Sequence, residues 1–249
     1  MNGARPERPL VIAHRGASGQ RPENTLPAYE LAVEQRADMI EIDLHSTSDG
    51  VIVITHDEDL DGLGGQGEIA AHTAEQIRAL DAGDGERVPT LDEVLDGFGH
   101  RVPFNLELKR SKEGPYPGLE AAALEALHSR NLLPSMLFSS FFDPVLQELR
   151  TQSTHARIGF LVSPRFPQKS IERAKAVGAE ALHPEVRLVD ADLVKAAHDE
   201  GMAVYSYTVD DVDVMKRLID LGVDGLFTNY PDRMRALVDA ADPRPDGSD

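Results

Sequence analysis

The sequence predicts an α/β fold: a (β/α)8 TIM barrel with a β-hairpin at its mouth and a small insertion. Eight short β-prone runs alternate with segments of helical period, which implies a parallel sheet. The chain has 249 residues, a length that suits one large closed barrel. Three of the helical segments stop at a glycine where a C-cap requires one, at Gly178, Gly201 and Gly222. An open doubly wound sheet fits the alternation too, but the chain lacks a strong dinucleotide fingerprint.

The first run, "LVIAH" at 10–14, breaks into a polar turn carrying His14 and Arg15, and "PAYELAVEQR" follows as a helix with Asn24 or Thr25 as its cap. The second run is "MIEIDLH". After it, Asp49-Gly50 stands between two β-prone stretches, a strong hairpin signal. A two-residue turn there pairs 48 with 51 and, by counting back, Asp43 with His56, so the hairpin folds a histidine beside a carboxylate. Residues 57–103 read as a long Gly-rich insertion. The remaining strands are "PFNLELK", "MLFSS", "ARIGFLV", "AEALHP", "AVYSYT" and "VDGLFTN", most of them separated by amphipathic helices. One domain is expected over residues 1–240, with 241–249 as a flexible tail.

The two-residue strand period sorts the side chains. Ile40, Ile42 and Leu44 share one face, while Glu41, Asp43 and His45 share the other. In "FNLELK", Phe104, Leu106 and Leu108 face the helices and Asn105, Glu107 and Lys109 face inward. Barrel interiors are normally filled with branched apolar residues. Three carboxylates and a lysine there require a bound cation and anion among them. Glu41, Asp43 and Glu107 are therefore the expected metal ligands, and an oxygen-only set without cysteine suits Mg²⁺ or Ca²⁺. Taken singly, each carboxylate reads better as a structural ion-pair partner; the phasing of all three favours the metal.

Composition bounds the partners. The chain is 41% hydrophobic and 27% charged, with no apolar run long enough to span a bilayer and no cysteine. "MNGARPERPL" lacks the apolar core of a secretory signal, so the expected location is cytoplasmic. A net charge of −18 opposes binding to nucleic acid or stable association with an anionic membrane.

The motifs together resemble the glycerophosphodiester phosphodiesterase family, within the superfamily of phosphatidylinositol phospholipase C-like phosphodiesterases. The matching stretches are "HRG" with "PENT", "EIDLHSTSDGVIVITHD", "PTLDEVL", "NLELK", "SSF" and "VDGLFTNYP", spread in order over nearly the whole chain. The resemblance implies His14 and His56 as an acid–base pair, Glu41, Asp43 and Glu107 as ligands of a divalent cation, and Arg15 and Lys109 on the substrate phosphate. It also implies the barrel. Where the family has "WTVN", this chain has "YTVD", so Tyr207 replaces a tryptophan and Asp210 an asparagine.

The expected reaction is metal-dependent hydrolysis of a glycerophosphodiester to glycerol 3-phosphate and an alcohol. Two histidines move protons while metal, arginine and lysine stabilise the charge that spreads over the phosphoryl oxygens. Phe141 and Tyr207 offer a modest apolar wall to the pocket, which favours a small soluble substrate. The alternatives are a lysophospholipase D, a phospholipase C-like enzyme, or a barrel that binds phosphodiesters without cleaving them. His45 is as well explained by a structural or supporting role, and His183 is a weak pocket candidate.

Overall fold

The computed structural model describes residues 6–241, so most of the expected tail lies outside the described residues. In chain order the strands are β1 (Leu10–His14), β2 (Met39–Ser46), β3 (Ile52–Ile54), β4 (Phe104–Leu108), β5 (Arg110–Ser111), β6 (Gly114–Pro115), β7 (Leu137–Ser140), β8 (Arg157–Val162), β9 (Ala181–Pro184), β10 (Ala203–Ser206) and β11 (Gly225–Thr228). The α-helices are α1 (Leu26–Glu34), α2 (Ala74–Arg78), α3 (Leu91–Phe98), α4 (Leu119–His128), α5 (Asp143–Gln152), α6 (Ser170–Ala176), α7 (Ala191–Asp199), α8 (Val212–Asp220) and α9 (Pro231–Ala241).

Eight of these strands, β1, β2, β4 and β7 to β11, pair in parallel around a ring, and β1 closes it by pairing with both β2 and β11. Each matches one of the eight runs read from the sequence, and β2 extends one residue past its run, to Ser46. The outward faces carry the main core: Ile40, Ile42, Leu44, Phe104, Leu106 and Leu108 are fully buried against the ring of helices. The lumen has its own smaller apolar floor, built from Ile12, Met39, Leu137, Tyr205 and Phe227. Along β2 the inward face therefore runs from Met39 on this floor to Glu41, Asp43 and His45 toward the C-terminal end, where barrels carry their sites.

The hairpin register differs by one residue from the expected one. Leu44 pairs with Ile54 and Ser46 with Ile52, so Asp43 faces Thr55 rather than His56, and the Thr55 amide donates to the Asp43 carbonyl at 3.2 Å. A type I′ turn needs positive φ at both central residues. Gly50 has φ 79°, but Asp49 is not among the residues with positive φ. The loop instead closes from Thr47 to Val51, with the Thr47 amide and hydroxyl both donating to the Val51 carbonyl at 3.0 Å. His56 thus reaches the mouth from beyond the end of β3, not as a cross-strand partner.

The start of α1 also departs from expectation. Thr25 sits at the N-cap, yet its hydroxyl donates to the Pro22 carbonyl at 2.6 Å and makes no cap bond. Within 57–103, α3 belongs to the outer ring, with Leu91, Val94, Leu95 and Phe98 in the main core, and it is capped reciprocally by Thr90 and Glu93. The preceding part packs over β3 as a separate cluster of Val53, Leu60, Ile69, Ile77 and Val88. Among the described residues, no helix is long and apolar enough to cross a membrane.

His183 belongs to the lumen and not to the pocket. Its ring lies 5.4 Å from that of Tyr205 and 5.1 Å from that of Phe227, over Gly159, where a Cβ would come within 2.2 Å of the imidazole. It is fully buried, and neither ring nitrogen has a hydrogen-bond partner in the chain. Burial holds its pKa down to about 3. The unfolded histidine titrates near 6.5, so below that pH the unfolded chain takes up a proton the folded one refuses. Stability from this group is therefore complete above pH ~6.5 and declines as pH falls. Between pH 7 and pH 5, His183→Leu should lose about 2 kcal/mol less than the parent chain. Urea midpoints at the two pH values check this, and equal losses would refute it.

Candidate active site

The C-terminal ends of β2 and β4 lie side by side, with Asp43 opposite Glu107 and Glu41 opposite Asn105. Strand alternation sends Glu41, Asp43 and Glu107 into the lumen together, where each offers an oxygen within 4.8 Å of the others. All three are buried. Lys109, just past β4, answers part of this charge: its ammonium donates to Asp43 at 2.8 Å and to Glu107 at 2.7 Å. Arg15 answers more, with Nε 3.3 Å from Asp43, Nη1 2.8 Å from Glu23, and its backbone amide donating to Glu41 Oε2 at 3.0 Å. That backbone bond is made by a residue in the left-handed region, at φ 57°.

Two cations do not neutralise three carboxylates, and the titration behaviour reflects the mismatch. Burial would raise Asp43, but Lys109 and Arg15 hold it below the usual carboxylate range. Burial raises Glu41 well above that range, and the charges of Asp43 and Glu107 push it further. Burial raises Glu107 as well, against the pull of Lys109. The Glu41 oxygen not bonded to Arg15 is buried with no hydrogen-bond partner among the described residues. An orphaned carboxylate oxygen in a set of hard oxygen donors fits a divalent cation.

A cavity of about 180 Å³ opens over this cluster. His14, Arg15, Glu41, His56, Glu107 and Lys109 line it, with Phe141 and Tyr207 on one wall. Asp43 lies beneath. The Phe141 and Tyr207 rings meet edge to face at 5.8 Å, and the Tyr207 hydroxyl donates to the Val162 carbonyl at 2.9 Å, which fixes that wall. His14, Arg15, Glu41, His56, Glu107, Lys109, Phe141 and Tyr207 thus share one cavity, whereas the weaker candidate His183 lies outside its lining.

Hydrogen-bond logic assigns the proton on His14. Asp210 accepts from the Asn229 backbone amide at 2.8 Å and from Asn229 Nδ2 at 2.7 Å. A carboxylate only accepts, so the amide nitrogen must face Asp210 and the amide oxygen must face His14 Nδ1, 2.8 Å away. That oxygen takes the hydrogen from Nδ1, which leaves Nε2 as a bare lone pair. Burial, then the charge of Arg15, lowers the His14 pKa to about 4, so the ring is neutral at pH 7.

His56 is held differently. Its Nδ1 lies 2.8 Å from Asp57, and its carbonyl accepts from His45 Nε2 at 3.2 Å. A carbonyl cannot donate, so His45 carries its hydrogen on Nε2 and receives the Tyr116 hydroxyl at Nδ1, 2.7 Å away. Burial, then Lys109, lowers the His45 pKa to about 4, which agrees with that neutral form. His45 anchors the backbone of His56.

Sequence reasoning missed Asn229 and Asp210, although both lie in stretches it singled out, because their partner is 215 residues from Asn229 in the chain. It also read Asn24 as a helix start. Its amide donates to Asp43 at 2.8 Å, and Tyr29 donates to its oxygen at 3.2 Å, so this residue orients a carboxylate of the cluster. Ser139 accepts from Asn105, and Ser140 donates to the Leu108 carbonyl; both serve packing between strands.

Residues 14–233 match the model of the glycerophosphoryl diester phosphodiesterase family, almost the full span from His14 past Asn229. The chain belongs to that family. It is thereby an enzyme, a phosphoric diester hydrolase. It is 34% identical over 255 residues to a glycerophosphodiester phosphodiesterase of Bacillus subtilis, covering 91% of this chain and 85% of that one. A glycerophosphodiester phosphodiesterase of Caldanaerobacter subterraneus is 36% identical over 238 residues, covering 92% and 97%. Among solved structures, an Oleispira antarctica phosphodiesterase in complex with the product sn-glycerol-3-phosphate superposes with a TM-score of 0.82 at 33% identity, over 93% of this chain and 97% of that one. A glycerophosphodiester phosphodiesterase of Agrobacterium tumefaciens superposes with a TM-score of 0.77 at 26% identity, over 92% and 99%.

Removing the Asp210 carboxylate should free the Asn229 amide to turn and His14 to change tautomer. Asp210→Ala is expected to lower kcat by about tenfold or more with KM little changed, while Asp210→Asn, which keeps one acceptor, retains more activity. Steady-state kinetics on the folded variants decide it; an unchanged kcat in Asp210→Ala would show that the orientation does not matter.

Proposed function

We propose that this chain hydrolyses glycerophosphodiesters to glycerol 3-phosphate and a free alcohol, using a divalent cation, Mg²⁺ or Ca²⁺, and two histidines. The observation that carries this reading is the convergence on one cavity of an unneutralised buried carboxylate triad and a neutral histidine with its Nε2 bare. The product-bound relative from Oleispira antarctica supports the choice of glycerol 3-phosphate. We assign the activity to one domain over residues 1–240 with 57–103 as its insertion.

In this scheme Arg15 and Lys109 bind the substrate phosphate. His14 takes a proton at Nε2 from the attacking oxygen, either water or the substrate's own glycerol hydroxyl. His56, backed by Asp57 at Nδ1, delivers a proton from Nε2 to the leaving alkoxide. Asn229 and Asp210 keep the hydrogen of His14 on Nδ1, so that Nε2 is the atom that takes the proton, and His45 holds His56 over the cavity. A cation held by Glu41, Asp43 and Glu107 supplies Lewis-acid stabilisation of the negative charge that develops on the phosphoryl oxygens. Attack by water expels the alcohol directly, whereas attack by the glycerol hydroxyl leaves a cyclic phosphate that a water then opens with the two histidines exchanging roles. By either route one water is consumed and, net, one P–O bond is cleaved. Phe141 and Tyr207 shield one side of the reacting group from solvent.

Excess EDTA should abolish hydrolysis of glycerophosphocholine, and Mg²⁺ or Ca²⁺ should restore it. The same ions should raise Tm in the parent chain but much less in Glu41→Gln, because binding to the folded state alone stabilises it. Full activity in EDTA would refute the metal assignment. His14→Ala and His56→Ala should each lower kcat by about 10²-fold or more while the metal-induced rise in Tm persists. Near-normal kcat in either variant would remove that histidine from the scheme.

A further inference from the structure

A second concavity, of about 650 Å³, opens beside the catalytic cavity and shares Phe141 and Leu161 with it. Its remaining apolar wall is Phe142, Pro144 and Phe166, and Phe166 is 67% exposed. Three guanidinium groups and one carboxylate complete the lining: Arg110, Arg165, Arg173 and Asp143. The carboxylate is already satisfied, because Arg173 grips Asp143 with two bonds of 2.8 and 2.6 Å. Among the described residues Arg110 makes no ion pair; it lies over the Phe142 ring at 4.3 Å. It also borders the space above Lys109 and His56, so it stands between the groove and the reacting centre. Arg165 too has no ion pair among the described residues.

This positive groove sits on a protein with 43 acidic and 25 basic residues. The first turn of α5 runs along it, adding the positive end of a helix dipole. A cationic alcohol such as choline would meet two free guanidinium groups, and an acyl chain would bury its methylenes against them. A phosphate on the alcohol would instead be paired by them, with the aromatic wall covering its carbon skeleton.

We propose that this groove is the subsite for the non-reacting end of the substrate, and that it selects glycerophosphodiesters whose alcohol carries a second phosphate. The proposal rests on the glycerophosphodiesterase reading above and narrows its substrate class. Arg110 and Arg165 are its recognition residues, and they take no part in the chemistry.

The test is a matched pair: glycerophosphoglycerol, and the same compound phosphorylated on its distal hydroxyl, with glycerophosphocholine and lysophosphatidylcholine as further arms. The expected result is a kcat/KM about tenfold higher for the phosphorylated member, carried by KM. That ratio should fall toward one in Arg110→Ala/Arg165→Ala and in high salt, as exposed charge recognition requires. Equal kcat/KM for the pair, a ratio that survives the double substitution, or a clear preference for the lysolipid would each overturn the groove assignment while leaving the hydrolase reading intact. Turnover of none of the four would end both.

Discussion

The mouth of the barrel is organised by one electrostatic constraint: three carboxylates share a buried space with two cations. Removing charge from water is expensive unless it is paired and hydrogen-bonded, and breaking a buried pair leaves the remaining partner uncompensated. Asp43 carries the largest share of partners, receiving Lys109, Arg15 and Asn24 together. Glu41 is left with an unpartnered oxygen and a strong tendency to hold a proton. A cation bound at this point would replace that proton. The left-handed backbone at Arg15 and Asn24 serves the same end, because it turns an amide N–H and a side-chain amide onto the cluster.

The two histidines stand on this cluster in different ways. His14 is deeply packed, and its protonation is dictated from behind through an amide that a carboxylate holds in one orientation. His56 comes from a loop end and is fixed through its own carbonyl, by a third histidine that has no room to titrate. The two imidazoles therefore meet the cavity with different histories, one kept empty of its proton and one placed against a carboxylate. The bonds between Asn229 and His14 and between His45 and His56 are part-buried, whereas the bond between His56 and Asp57 is exposed. Both arrangements draw on residues from β1, β2, β3 and the segment after β11, so the site belongs to the closed ring and not to any one βα unit.

The strands and their faces were legible because a period of two is written directly in the residues: Glu41 and Asp43 alternate with Ile40, Ile42 and Leu44, and Glu107 alternates with Leu106 and Leu108. The hairpin register was not legible, since it turns on the φ of Asp49, and the pair Asp-Gly is compatible with more than one loop. The slip of one residue did not remove His56 from the cavity, because that residue lies past the last ladder pair. Asn24 was read as a cap because local rules describe its neighbours along the chain, while its partner Asp43 is on the next strand. Asn229 and Asp210 carry no local signal of their role. Their meaning comes from where β11 lands beside β1.

That landing has a consequence for the life of the chain. His14 is made 215 residues before its orienting amide, so a polypeptide that stops short of Asn229 has no means of setting the imidazole. The orientation of His14 is then set only once β11 lies beside β1, as a report that the ring is shut.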